Sequence, residues 1–279
     1  MADNLEAEGK PVQNWPTSST DQIDIYKSFM MNSIKLFLLF PGLTLIGQAN
    51  AQTAIQPKYQ ICMDVAHGEK FWHDPASMTG MDPAIIDRVK YMTGEFTKTA
   101  TTVHAGLSYL KGEIKSGDLA KCNLLFIHIP SAQYSAGEMN AISQYIKKGG
   151  SLFLVMDSDY WSTLEQTNVN DLIRSFGIQF GGPNPDTLAG GATRADLITK
   201  KQLKISYHGA RIVTGGTPFC FNIRTEQFPF GTFLKVKNGG KIIVMGDGMV
   251  SLYMTSWEGV NDYQCGEFMH DAFEWLLMK

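Results

Sequence analysis

The residues best able to do chemistry stand just beyond apolar runs of strand length. Asp64-Val65-Ala66-His67-Gly68-Glu69 ends one such run and passes through Lys70 into Phe71-Trp72-His73-Asp74. His128 lies near the end of the run Asn123–Ile129, with Tyr134 a few residues on. Asp157-Ser158-Asp159-Tyr160-Trp161 follows Ser151–Met156, and Gly246-Asp247-Gly248 follows Lys241–Met245. Carboxylates can act as general acid and base, and histidine moves protons near neutral pH. Flat aromatic rings beside them offer a stacking surface. Asp64, His67, Glu69, His128, Asp157 and Asp159 are therefore the candidate catalytic groups, with Trp72, His73, Tyr134, Trp161 and Asp247 as candidate ligand contacts. Each also has a plainer role: an Asp past a strand often caps a helix or closes a turn. A tryptophan is often mostly buried, and a core histidine is usually hydrogen-bonded. The assignment rests on the recurrence of such residues at four strand ends.

His67, Glu69, His73 and Asp74 are competent metal ligands, but their spacing matches no established signature and there is no HExxH. No metal and no cofactor is expected. No GxGxxG follows the first strand and no GxxxxGK[ST] occurs, which disfavours dinucleotide and P-loop nucleotide binding.

The elements that must position these residues alternate from residue 57 onward. Strands are predicted at Tyr59–Val65, Thr101–His104, Asn123–Ile129, Ser151–Met156 and Ile178–Phe180. Asp82-Pro83 opens a helix as N-cap and first turn, with Ile85, Ile86, Val89 and Met92 at helical spacing. A second helix spans Ser135–Lys148, with Ser135 and Glu138 as a capping box. A third spans Thr163–Phe176 and stops at Gly177, and a last one spans Tyr263–Met278. Residues 181–232 break this rhythm with Gly, Pro and Thr and read as a β-rich insertion, with short strands at Leu203–Tyr207 and Arg211–Thr214. Phe233–Val236 and Lys241–Met245 then flank an Asn238-Gly239-Gly240 turn. Strand runs lacking clean alternation imply burial on both faces, hence a doubly wound, mostly parallel α/β sheet.

Met31–Ala51 has the three parts of a secretory signal: Lys35, the apolar run Leu36–Ile46, and Ala49-Asn50-Ala51 before Gln52. The run is shorter than the roughly 20 residues that cross a bilayer. Residues 1–30 are expected to be a disordered extension, with translation starting at Met30 or Met31, and residues 52–279 to form one domain. No membrane span is expected after cleavage, and the product is expected in the periplasm or outside the cell. Residues 52–279 carry 21 basic and 22 acidic side chains, so neither a nucleic acid nor an anionic membrane surface is an expected partner. Cys62, Cys122, Cys220 and Cys265 contain no CxxC; they allow three full disulfide pairings or buried free thiols.

Three segments resemble the class I glutamine amidotransferase-like superfamily, especially exported relatives of the gliding-motility transporter and trehalose-utilisation type. They are Ile61-Cys62-Met63-Asp64 with the following His67-Gly68, Leu125–His128 with Tyr134–Glu138, and Ile146–Leu154. The resemblance covers roughly residues 57–180 and 231–279 and implies a flavodoxin-like sheet. It also implies a cysteine on a strand-to-helix turn and a His-x-Glu pair for glutamine hydrolysis. Here the turn after Met156 presents Asp157-Ser158-Asp159, Cys62 lies within a strand, and His270-Asp271 is in the last helix. Glutamine hydrolysis is therefore not expected.

These features predict an exported domain that binds or processes a carbohydrate-like ligand by acid/base chemistry, as a hydrolase or lyase if it is an enzyme. The alternative is a non-catalytic module of an envelope protein complex, with 181–232 and exposed aromatic rings as its interface.

Overall fold

The computed structural model describes residues 56–69, 71–159, 161–184, 190–205, 210–248 and 263–278. The expected extension 1–30 and signal segment 31–51 lie outside these residues. In chain order the elements are β1 (Tyr59–Asp64), α1 (Pro83–Thr102), β2 (Ala105–Leu110), α2 (Ser116–Leu119) and β3 (Leu124–His128). Next come α3 (Ala136–Lys147), β4 (Ser151–Val155), α4 (Val169–Arg174), β5 (Gln179–Pro183), β6 (Gly191–Thr193) and β7 (Lys204–Ile205). The chain continues with β8 (Arg211–Thr214), β9 (Thr217–Asn222), β10 (Thr225–Lys235), β11 (Lys241–Met245) and α5 (Cys265–Leu277).

Nine strands form one mixed sheet in the order β2-β1-β3-β4-β11-β10-β9-β6-β7. The first five run parallel. From β11 outward every pairing is antiparallel. The segment 181–232 thus supplies β6, β7, β9 and the start of β10 to the main sheet, while β5 pairs with β8 in a separate ribbon.

Strand side chains alternate between two apolar cores, one on each face of the sheet. Ile61, Met63, Leu124, Phe126, Phe153, Val155, Ile243 and Met245 face Met92, Phe96 and Ala100 of α1 and Phe268, Ala272 and Phe273 of α5. Cys62, Leu125, Ile127, Leu152, Leu154, Ile242 and Val244 face Ala141, Ile142 and Ile146 of α3 and Val169, Leu172 and Ile173 of α4. Each side chain lies over one face or the other because successive residues of a strand point oppositely. Helices on both faces of a largely parallel sheet make this an α/β fold.

The elements depart from the sequence reading at definite places. Thr101–His104 is not a strand: α1 runs on through Thr102, and β2 begins at Ala105. Threonine favours strands, but here the hydroxyls of Thr97, Thr99, Thr101 and Thr102 donate to carbonyls one turn back within the helix. The face buried by α1 is Val89, Met92, Phe96 and Ala100, leaving Ile85 exposed. Helix also begins later than Thr163. Thr163 and Gln166 close a turn on each other, and α4 starts only at Val169.

Cys62 and Cys122 are joined in a disulfide, with their Cα atoms 5.8 Å apart. It ties β1 to the turn that enters β3. Cys220 and Cys265 are buried free thiols.

Candidate functional site

The strand order reverses between β1 and β3: the chain passes from β1 outward to β2, then back across to β3. Ligands of open α/β sheets bind beyond the strand carboxyl ends at such a reversal. Asp64 is the last residue of β1, and the loop after it carries His67 and Glu69. Glu138 lies in the first turn of α3, where the capping box fixes it. Ser135 Oγ accepts from the Glu138 amide at 3.2 Å, and Glu138 Oε2 accepts from the Ser135 amide at 2.8 Å.

These residues meet around the His67 ring. Its Nδ1 is 2.8 Å from Asp64 Oδ2, and its Nε2 is 3.0 Å from Glu138 Oε1. Tyr134 stacks on the ring with centroids 4.0 Å apart and donates its hydroxyl to Asp64 Oδ2 at 2.8 Å. Asn168 holds Tyr134 in place by bonding both its amide and its carbonyl at 2.8 Å. Glu69 Oε2 accepts from the His67 amide at 3.0 Å, and the His67 carbonyl accepts from Ser131 and Ala132. Asp64, His67, Glu69, Tyr134 and Glu138 are all buried.

Burial alone would lower the His67 pKa, but the hydrogen bond and charge of Asp64, joined by Glu138, outweigh it and raise the value. For Glu138 burial pulls upward, and hydrogen bonds from the Ile114 and Ser135 amides reverse the direction. Glu69 moves the other way: burial and the negative charge of Asp64 push its carboxyl well up. Glu69 Oε1 has no hydrogen-bond partner among the described residues.

A second group gathers at the ends of β4 and β11. Arg211, 2% exposed, donates Nε to the Asp157 carbonyl at 2.6 Å and Nη1 to the Gly181 carbonyl at 3.1 Å. Its Nη2 pairs with the carboxylate of Asp159, which is half exposed. Asp157 and Asp247 are both buried. Burial, with the charge of Asp247, pushes the Asp157 carboxyl up to about 8, against the hydrogen bonds from Ser158 and the charge of Arg211.

Aromatic rings surround most of the remaining candidates, and His128 borders the second group through Gly248. His128 is buried among the rings of Phe71, Trp72 and Phe126. Its Nε2 donates to the Gly248 carbonyl at 3.0 Å, and burial lowers its pKa to about 4. Trp72 is 1% exposed and packs edge-on against Phe96 and Phe126, so it presents no open face for stacking. His73 is half-buried, which lowers its pKa, and Asp74 beside it caps the short helix Pro75–Ser77. Trp161 is half-buried and meets Phe71 edge-on at 4.9 Å. An open cavity of about 420 Å³ lies at the opposite end of the strands, lined by Cys122, Gln144, Tyr145 and Lys148 among others; none of the site candidates lines it.

Glu138 and Arg211 were visible in the sequence only as a capping residue and a strand residue. The capping box was the one signal for Glu138's position. No local signal marks Arg211, whose partners sit some 30 and 50 residues away in sequence.

The IFT52 GIFT domain family model matches residues 97–189, about a third of the chain. Among solved structures the chain is similar to the mmIFT52 N-terminal domain, at 18% identity and a TM-score of 0.58, covering 79% of this chain and 98% of that one. It is also similar to a putative ThuA-like protein from Bacteroides uniformis ATCC 8492, at 14% identity and a TM-score of 0.46, covering 82% of this chain and 96% of that one. A third likeness is to exo-β-1,4-mannosidase Op5Man5 from Opitutaceae bacterium strain TAV5, at 12% identity and a TM-score of 0.49. That match covers 81% of this chain but only 36% of the mannosidase chain. No curated protein matches the sequence. At these identities the likeness concerns the fold alone.

Proposed function

We propose that this chain is an exported, flavodoxin-like domain of the class I glutamine amidotransferase-like type that has no amidotransferase chemistry. In this reading it binds a carbohydrate-like ligand at the carboxyl ends of its strands. The order β2-β1-β3-β4-β11 of the parallel half supports the fold assignment, being the 2-1-3-4-5 order of flavodoxin-like sheets. The Cys62–Cys122 disulfide supports export, because such bonds persist mainly in oxidising compartments. Asp157-Ser158-Asp159 stands where an amidotransferase would place its cysteine, and the free thiols Cys220 and Cys265 are buried elsewhere.

The observation that carries the acid/base reading is the buried Asp157–Asp247 pair. An Asp157 carboxyl near 8 is protonated at neutral pH beside a second carboxyl group. A carboxyl kept protonated near neutral pH by burial and a neighbouring charge is the kind of group that serves as a general acid. Asp159, whose side chain is half exposed, is the more open edge, where a hydroxylated ligand would first be met. The test is a thermal-shift screen of mono- and oligosaccharides on the wild type and on Asp157→Asn. A sugar that stabilises the wild type and not the variant is the expected result. No stabilisation by any sugar, or equal stabilisation of both proteins, overturns this reading.

A second reading, the non-catalytic envelope module, is favoured by the closure of the β1 loop network. Both ring nitrogens of His67 face carboxylates, and Tyr134 covers one face of the ring. Recovery of a stable envelope partner without any small-molecule shift is the outcome that selects it.

A further inference from the structure

We propose that Asp64, His67 and Glu69 form a binding site for one divalent transition-metal cation of the zinc type. A nitrogen of His67 and one carboxylate oxygen each from Asp64 and Glu69 lie within 4.8 Å of one another. Imidazole with two carboxylates is a donor set that suits zinc and its neighbours. Three protein donors is also the number that catalytic zinc sites use, with a fourth position left for water or substrate.

Two further features point to a cation. Glu69, a member of this cluster, is 4% exposed, yet its Oε1 has no hydrogen-bond partner among the described residues. A buried carboxylate oxygen left in this way is costly unless a proton or a cation serves it. The second feature is the placement of Glu138. It stands 3.0 Å from His67 Nε2, on the ring edge away from Asp64. A carboxylate that takes the far N–H of a histidine fixes the tautomer and leaves the other nitrogen's lone pair for a metal. Here that nitrogen is Nδ1, which faces Asp64 Oδ1 and Oδ2 at 3.1 and 2.8 Å. Tetrahedral zinc with ordinary bond lengths holds N and O donors about 3.3 Å apart. Modest opening of the Asp64–His67 contact accommodates the ion, which displaces the proton shared there.

The inference shares the location of the strand-end crevice with the proposed function, but it does not depend on a sugar ligand. The test uses the full chain, stripped with chelator and titrated with Zn²⁺ by calorimetry. Cobalt absorption spectra provide the second measurement. One equivalent of Zn²⁺ is expected, with an intense visible band for four-coordinate Co²⁺. Glu69→Gln should abolish both signals, while Glu138→Gln should weaken affinity by roughly 10–100-fold. Circular dichroism of the metal-free variants checks that they fold. Absence of stoichiometric Zn²⁺ binding by the wild type overturns the proposal even if a variant fails to fold. Undiminished binding by a folded Glu69→Gln also overturns it. Zinc binding without any sugar response leaves this site standing and removes the carbohydrate reading; a sugar response without zinc binding does the reverse.

Discussion

Arg211 holds the main chain of Asp157 from across the fold, donating Nε to its carbonyl at 2.6 Å while its backbone amide donates to the Gly246 carbonyl at 2.7 Å. One residue of β8 thus joins the two segments, its side chain holding the one that follows β4 and its main chain the one that follows β11. Replacing Arg211 with methionine keeps much of the volume but leaves the Asp157 and Gly181 carbonyls without that donor. Each unsatisfied group costs about 1–3 kcal/mol, so a loss of about 2–4 kcal/mol is expected in urea unfolding. Asp159→Asn should cost about 1 kcal/mol or less, because that carboxylate is half exposed.

Asp157 gives stability a definite dependence on pH. Its folded pKa is raised to about 8 from an ordinary 3.8. Between those values the folded state holds a proton that the unfolded state has lost, so the contribution is full below pH 3.8 and is lost as pH rises through 8. Asp157→Asn should therefore be more stable than wild type at pH 8, by up to about 5 kcal/mol, with the advantage vanishing near pH 4. Urea midpoints at the two pH values check this; equal differences at both would contradict it.

His128 acts in the opposite direction. Its pKa is lowered to about 4 from 6.5, so its neutral form is favoured in the fold. The stability it contributes is present above pH 6.5 and falls away as pH drops toward 4, by about 3 kcal/mol in all. His128→Phe removes this proton-linked loss along with the bond to Gly248. The variant should start less stable at pH 7 but decline less steeply between pH 6.5 and 4. NMR titration of the His128 ring is the direct check.

The disulfide closes a loop with a sequence separation of 60 residues. Chain-entropy reasoning puts its contribution at about 4 kcal/mol. Reduction, or the pair of changes Cys62→Ser and Cys122→Ser, should lower the thermal midpoint clearly. Cys220 and Cys265 are buried and should resist thiol reagents until the protein unfolds.

Gly246 is confined by its neighbours. A Cβ there would overlap the carbonyl of Arg211, and its amide already donates to Phe230 at 2.6 Å. Gly246→Ala should destabilise by about 3 kcal/mol, within the range for overpacked sites. Calorimetric unfolding measures the loss.

Much of the parallel half was legible because it obeys local rules. Apolar runs at β1, β3, β4 and β11 and the capping box of α3 have sequence signatures that need no partner to be recognised. The antiparallel half was less so: Thr217–Asn222 carries Pro218 and Cys220, and its strand identity comes from pairing with β6 and β10. Asp64, His67 and Glu69 were readable as a group because they are close in sequence. Their relation to Glu138 was not, since it exists only once α3 docks beside β1. Trp72 was ambiguous for a physical reason. A loop tryptophan can line a mouth or plug a core, and the nearby rings of Phe96 and Phe126 decide the matter here.

The two cores on either face of the sheet also bear on how its register is kept. In many sheets a slip of one residue is punished by turning polar side chains inward. Here, apart from His128 and Ser151 at the strand ends, both faces of β3 and β4 are apolar, so polarity offers little such guard. What differs is shape: Phe126 and Phe153 fill the side shared with α1 and α5, while leucine and isoleucine fill the side shared with α3 and α4. A slipped strand would force benzyl groups into space fitted for branched aliphatic chains and leave voids opposite. Volume, more than solubility, keeps these strands aligned.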